Sequence, residues 1–512
     1  MKKIYLTIIM SIFLVGITNV GGFFTEKTIN DITKDAPISI RNEEGDGHDF
    51  DPLVDIEVTV DIISIRAFDD IDFQNNPDFF VKIFINSEEF SSPIWDDSPC
   101  IYDIHWKATA NVPDDIEHVN ITIELYDKTM FGERLCDVSK EPNTKTQGYT
   151  AVIRYNIKTG HWTGDDSLGD ASGYGRLNGC DDGSINNNER DCEIWFTISQ
   201  TDPDGDTIPY WTEVYTYGTN PEFNNTGEDL DSDILPIEWE YKWMYPPNIW
   251  DDHTHLDIDD DSLTNVEECR MSSTGSDPYR RDIYLEIDIM ADGPLGKNSS
   301  ISPHSQELLK TAFNRRNVVF HLDDGCMGGG GEIIPFDRKT YLPELRTIYN
   351  TYFLHNDSEN WRRSVFRYAM IIYHHYATSG VSYVGEHPRL YWHVQGINTF
   401  VISAESMHKT SRKLFKPIDQ VFAGVIMHEL GHTFGIDFMF PAGCDNTRTY
   451  RPRNLGFWLF SSYKSCMNYR YVFTILDYSD GSHGLFDYDD WSNLDFSFFE
   501  KKASQSSTQL NN

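Results

Sequence analysis

One acidic pattern recurs three times between Asp202 and Glu268, and it constrains this chain more than any other feature. DPDGDTIPYWTE puts Asp202, Asp204, Asp206 and Glu213 at positions 1, 3, 5 and 12 of a twelve-residue loop. DLDSDILPIEWE repeats the spacing with Asp229, Asp231, Asp233 and Glu240, and DIDDDSLTNVEE with Asp257, Asp259, Asp261 and Glu268. Calcium takes six to eight oxygens, and such a loop supplies them from positions 1, 3 and 5, a carbonyl at 7 and a bidentate Glu at 12. The residues at position 7 are Ile208, Leu235 and Leu263, apolar as a carbonyl donor that also packs inward would be. No glycine stands at position 6, where Thr207, Ile234 and Ser262 are found. That argues against full EF-hands flanked by long helices.

The charge count points the same way. From Asp202 to Glu268 there are 19 acidic residues and one basic, Lys242, so this segment carries −18 of the chain's −39. Salt adaptation would spread the excess over the whole surface, whereas concentration in one segment indicates divalent cations. Residues 201–270 are therefore expected to be a calcium-binding connector, turn-rich and with little to build a core from. The loops resemble the calcium repeats of thrombospondin type 3 and dockerin modules, including the GTNP that trails the first. A net charge this negative repels phosphate backbones, so no nucleic-acid partner is expected.

The N-terminus carries Lys2 and Lys3 and then an apolar stretch from Ile4 to about Val20. Residues 1–25 have the profile of a signal peptide, which implies a secreted or extracellular cell-surface protein. No A-x-A cleavage site follows, so an uncleaved N-terminal anchor is the alternative and the one expected route to a membrane. Residues 26–50 read as a linker and 496–512 as a polar tail. Eight cysteines suit an oxidising exterior, and closeness in sequence suggests the pairs Cys100–Cys136, Cys180–Cys192 and Cys444–Cys466.

From 51 to 200 the apolar runs are short, alternating and separated by turn residues, which predicts an antiparallel β-sandwich. Asp72 and Asp78 precede the strand-like DFFVKIFI, and Asp127 follows another strand. This resembles the calcium-binding loops of C2 domains, although Leu125 stands where a second Asp is usual. From 280 to 495 strands interleave with helices, an α/β pattern. Strands are expected at DIYLEIDIM, NVVFHLDD and TFVISA. Helices are expected at SPHSQELLKTAFNRRN, ENWRRSVFRYAMIIYHHY and PIDQVFAGVIMHELGHTFG, and the glycine run 325–332 reads as a flexible surface loop.

The last of those helices holds the chemistry. His428 and His432 are four apart, so they share a helix face and both imidazoles can reach one ion. Glu429 sits beside that face, where it can take a proton from an attacking water. Gly435 fits a helix end that turns sharply. The extended pattern HELGHTFG, with SCMNY at 465–469, resembles the metzincin metallopeptidases, most closely pappalysin-like and archaeal secreted forms. The resemblance spans roughly 280–495. It implies a zinc endopeptidase acting on protein or peptide substrates, with zinc on His428 and His432, Glu429 as general base, and Tyr469 beside a Met-turn at Met467 assisting the oxyanion. The third ligand should stand at 438, where this chain has Phe438. Asp437 and Asp445 are the candidates in its place, with His483 behind them. The chain is thus read as multidomain: a C2-like sandwich, a calcium-loop connector and a metzincin-like α/β peptidase domain. The rival from another class is a calcium-dependent cell-surface binding or adhesion protein with a degenerate peptidase domain.

Overall fold

The computed structural model describes residues 55–497, apart from 73–74, 114–115, 143–147, 167–174, 186, 294–298, 375–379, 384–397, 437–440 and 445–446. The expected signal or anchor segment, the linker and nearly all of the polar tail lie outside the described residues. Those described belong to one compact unit, Val54–Asn512. Among them no helix is long and apolar enough to cross a membrane.

The first part is the expected antiparallel sandwich. Its strands are β1 (Ile56–Ala67), β2 (Phe79–Ile85), β3 (Glu88–Ser91), β4 (Cys100–Ile101), β5 (Trp106–Val112), β6 (His118–Thr129), β7 (Gly132–Cys136), β8 (Ala151–Asn156), β9 (Trp162–Gly164), β10 (Gly175–Asn178) and β11 (Cys192–Gln200). One sheet runs β10-β11-β1-β4 with β5 also on β1, and the other runs β3-β2-β6-β8-β9 with β7 on β6. Alternation decides which face turns inward. Ile56, Val58, Val60 and Ile62 from β1 meet Val119, Ile121, Ile123 and Leu125 from β6 in one apolar core, while Glu57 and Asn120 face solvent.

The second part is α/β. Strands β12 (Asp282–Met290), β13 (Val319–Asp323), β14 (Ile333–Ile334), β15 (Phe366–Ile372), β16 (Gly380–Tyr383) and β17 (Thr399–Ser403) make one sheet, ordered β13-β12-β15-β17-β16 with β14 on β12. The first four in that order run parallel and β16 is antiparallel to β17. One face packs on helices Pro303–Asn314 and Ile418–Thr433 through Leu309, Phe313, Val421, Ile426 and Leu430. Ser302, the first residue of the expected helical segment, caps the first of these, its Oγ accepting from the Ser305 amide at 3.0 Å. The other face, with Tyr284, Tyr368 and Met370, also takes in Leu263 from the third acidic loop.

Two expectations are corrected here. Among its described residues, the long helix expected over 359–376 is helical only at Arg362–Val365, and FRYAMII is strand β15, buried at every position. A strand covered on both faces loses its alternation, and its continuous apolar run imitates a buried helix. The glycine loop 325–332 is anchored rather than loose. Asp323 accepts from the amides of Gly325 and Met327 at 2.9 Å and Gly329 at 3.1 Å, and it pairs with Arg362 at 2.5 Å.

The two parts are joined by buried charge. Arg280 binds Asp166 of the sandwich at 2.6 Å and Asp277 at 2.7 Å, all three fully buried. Arg66 of β1 reaches Glu307 at 2.9 Å.

Helix Ile418–Thr433 is apolar all round and central, as a helix enclosed by the core must be. Its Gly424 lies against the backbone carbonyl of Val472, which an added methyl would strike. Alanine is the better helix former, yet Gly424→Ala is expected to lower stability by about 1–3 kcal/mol, since backbone cannot yield as a side chain can. Thermal unfolding checks this, and an unchanged or raised midpoint would contradict the close approach.

Candidate metal centres

The three acidic loops share one geometry. The Asp at position 1 accepts from the position-4 amide: Gly205 at 2.9 Å, Ser232 at 2.7 Å and Asp260 at 2.8 Å. Its other oxygen accepts from position 6, at 3.0 Å from Thr207, Ile234 and Ser262 alike. The Asp at position 5 accepts from the position-7 amide: Ile208 at 2.9 Å, Leu235 at 3.1 Å and Leu263 at 2.7 Å. Position 6 is left-handed in all three, with φ of 77° at Thr207, 92° at Ile234 and 81° at Ser262. The missing glycine therefore does not prevent the calcium-loop turn. Non-glycine side chains adopt it at a cost of roughly 1–3 kcal/mol each.

Each loop runs into a short helix that returns its Glu: Tyr210–Thr212 with its continuation Glu213–Tyr217, Ile237–Lys242, and Asn265–Arg270. Glu213, Glu240 and Glu268 are fully buried. Glu213 Oε2, both oxygens of Glu240 and Glu268 Oε1 have no hydrogen-bond partner, nor have both oxygens of Asp204 and Asp231 or Asp259 Oδ2. Asp202, Asp204 and Asp206 converge to within 4.8 Å of one another, as do Asp229, Asp231 and Asp233. Buried carboxylate oxygens without donors are unfavourable until a cation reaches them, so the residues present fit calcium. Burial, reinforced by the loop aspartates, pushes Glu213 up to about 8 and Glu240 up to about 9. Glu268 lies well above the ordinary carboxylate range for the same reasons.

The connector has more core than its composition suggested. Ile208 packs with Ile237 and Tyr241, and Leu235 with Trp239, Trp243, Tyr245 and Val266. The acidic count hid these aromatics, of which Trp239 and Tyr241 sit on the helix Ile237–Lys242 and Trp243 and Tyr245 follow it. The repeats also lean on residues beyond the twelve-residue pattern. The position-5 Asp accepts from a distant amide each time: Asn225 at 3.1 Å, Asp251 at 3.4 Å and Asp282, the first residue of β12, at 2.7 Å. His253 is buried at the second site, 3.1 Å from Asp233 Oδ2. No spacing rule points to it, since it too lies outside the pattern.

The C2-like carboxylates meet a cation of the chain's own. Arg134 binds Asp127 at 2.5 Å and Asp72 at 2.7 Å, while Asp78 accepts from the Asp97 amide at 2.7 Å. The chain's own guanidinium thus neutralises Asp72 and Asp127. All three sequence-based cysteine pairs also fall, Cys444–Cys466 among them: Cys100, Cys136, Cys180, Cys192 and Cys466 are free thiols. Cys136 and Cys192 are instead close neighbours, and Cys136 adds to the burial that pushes the Cys192 thiol up.

The HExxH residues lie near the end of the central helix. The rings of His428 and His432 stand 4.9 Å apart and nearly perpendicular. His428 Nδ1 donates to the Cys466 carbonyl at 2.8 Å, and His432 Nδ1 donates to the Ile436 carbonyl at 2.6 Å. A carbonyl can only accept, so both rings carry a proton on Nδ1, and in the neutral ring the lone pair is then on Nε2, the tautomer that ligates a metal through Nε2. Glu429 is buried on the same turn. Gly435, at φ 86°, ends the helix and lets Ile436 N return to the Gly431 carbonyl at 3.1 Å. Met467 is fully buried beneath Gly431, where an added Cβ would strike its sulfur. Tyr469 stacks on His428 with centroids 5.4 Å apart.

Asp437 and Asp445 lie outside the described residues, as does Phe438. His483 is held by Asp487, Nδ1 to Oδ2 at 2.9 Å, in a group with Asp480. The residues present fit two imidazole ligands of a zinc ion.

No family model matches the sequence, and no curated protein matches it. The solved structures it resembles include a C2 domain (13% identity, 28% of this chain and 98% of that one, TM-score 0.18). Others are a C2 domain of plant Extended Synaptotagmin 1 (13%, 28% and 94%, TM-score 0.18) and human GIVD cytosolic phospholipase A2 (12%, 29% and 16%, TM-score 0.19). The antiparallel sandwich stands on its own strand register, β1 against β11 and β6 against β2 and β8.

Proposed function

We propose that this chain is a secreted zinc-dependent endopeptidase of metzincin type whose connector is stiffened by calcium. The observation that carries the reading is the pair of Nδ1–carbonyl bonds, which aim two imidazole lone pairs from one helix face beside a buried glutamate. Zinc bound by His428 and His432 supplies Lewis acidity. Glu429 takes the proton of the attacking water and returns it to the leaving amine. Met467 props the helix from below, and Tyr469, partly exposed and stacked on His428, is placed to donate to the developing oxyanion. The rival reading, a calcium-dependent cell-surface binding or adhesion protein with a degenerate peptidase domain, is disfavoured by the intact set of His428, Glu429 and His432 on one helix.

The third ligand is tested by metal titration. Asp445 has the longer path on which to turn back from Gly435, so Asp445→Ala is expected to weaken zinc at least as much as Asp437→Ala. The loss should exceed the ~10–100-fold that removing an outer-shell partner costs. His483→Ala should leave zinc affinity unchanged, since that ring gathers with Asp480 and Asp487 in a cluster of its own. Full zinc affinity in both Asp variants, with loss in His483→Ala, would overturn this assignment.

A further inference from the structure

We propose that Asp137, Asp182, Glu189 and Asp191 form a fourth divalent-cation site, on the flank of the sandwich and separate from the three loops. Asp137, Asp182 and Glu189 each place one carboxylate oxygen so that the three lie within 4.8 Å of one another. Two oxygens bound to one calcium at the usual 2.3–2.6 Å stand at most ~5 Å apart, so all three can surround a single ion.

Asp191 is the independent pointer. It is fully buried, and its Oδ1 has no hydrogen-bond partner. Its Oδ2 accepts from Ser184 Oγ at 3.1 Å and Cys180 Sγ at 3.4 Å. Asp191 pairs with Asp137 in a parallel bridge, framed by Asp137 N to Arg190 O at 3.0 Å and Cys192 N to Asp137 O at 2.8 Å. Partners in such a bridge present their side chains on the same side. The Asp191 side chain therefore leaves the bridge on the same side as that of Asp137, and Asp69 first, then Asp182, act on its carboxylate as like charges. A buried carboxylate oxygen without a donor, set among other carboxylates, is unfavourable until a cation joins it.

The donor set is all oxygen, with neither imidazole nor thiolate in it, which selects a hard cation of the calcium class over zinc. The loop that supplies Asp182, Glu189 and Asp191 also docks on the α/β part, where Asn317 Nδ2 donates to Asp181 at 2.6 Å. A cation here would order that docking surface.

Calcium bound per chain, counted by equilibrium dialysis of the full protein, tests the site. Asp182 and Glu189 are half-buried, so Asp182→Asn and Glu189→Gln open no core, and circular dichroism confirms the fold. The double variant is expected to bind one calcium fewer than the parent. Glu240→Gln should lose a different ion, so the triple variant loses two. Failure of Glu240→Gln to change the count would touch only the loop reading. A double variant with the parent's count and affinities would overturn the fourth site.

Discussion

Replacing Glu429 with alanine is expected to abolish peptidase activity while leaving the fold and both histidine ligands in place. The side chain is buried next to His428 on a helix whose stability comes from its apolar residues, so its removal costs little packing. Positioned general bases typically contribute roughly 10²–10⁴-fold. Here the same group would serve two proton transfers, and the loss should lie at the upper end of that range. The check is kcat on a peptide substrate beside zinc content and thermal midpoint. Near-parental turnover with zinc retained would remove Glu429 from the mechanism.

The second large effect concerns the connector, and its sign follows from the buried glutamates. Glu213 and Glu240 are raised from the ordinary value of 4.5 to about 8 and about 9, by burial above all, with the neighbouring loop aspartates adding to it. A carboxyl raised in the folded state binds more protons folded than unfolded. Without calcium its contribution is therefore most favourable below the ordinary value and is lost as pH climbs through the raised values. Calcium-free protein should lose stability steadily between about pH 5 and about pH 9, while calcium-loaded protein should not. At free calcium ~1,000-fold above its dissociation constant, each occupied site adds about 4 kcal/mol. Chelation followed by zinc re-addition without calcium should therefore open residues 200–270 to proteolysis, most strongly at alkaline pH. Equal protection with and without calcium at every pH would sink the three-loop assignment.

What could be read in advance was whatever rests on local periodicity. The alternation in β1 and β6, the Ser302 cap and the four-residue spacing of His428 and His432 all depend on near neighbours, and the structure keeps them. The misses come from burial and from contacts distant in sequence. Strand β15 passed for a helix because both of its faces are covered. The missing position-6 glycine spoke against EF-hands with long flanking helices, and the helices are short; it did not show that Thr207, Ile234 and Ser262 would be held left-handed by the Asp carboxylate that accepts their amides. Arg134 could not be placed between Asp72 and Asp127 from spacing, since Asp72 lies 62 residues away from it. His253 and the bridge between Asp137 and Asp191 are likewise products of the fold.

The zinc content of the purified protein, measured beside casein hydrolysis with calcium kept in the buffer, tests the central claim most directly. One zinc per chain is predicted, with hydrolysis lost to a zinc-selective chelator and restored by added zinc. Protein that holds no stoichiometric zinc, or that hydrolyses casein equally well with the chelator present, would contradict it.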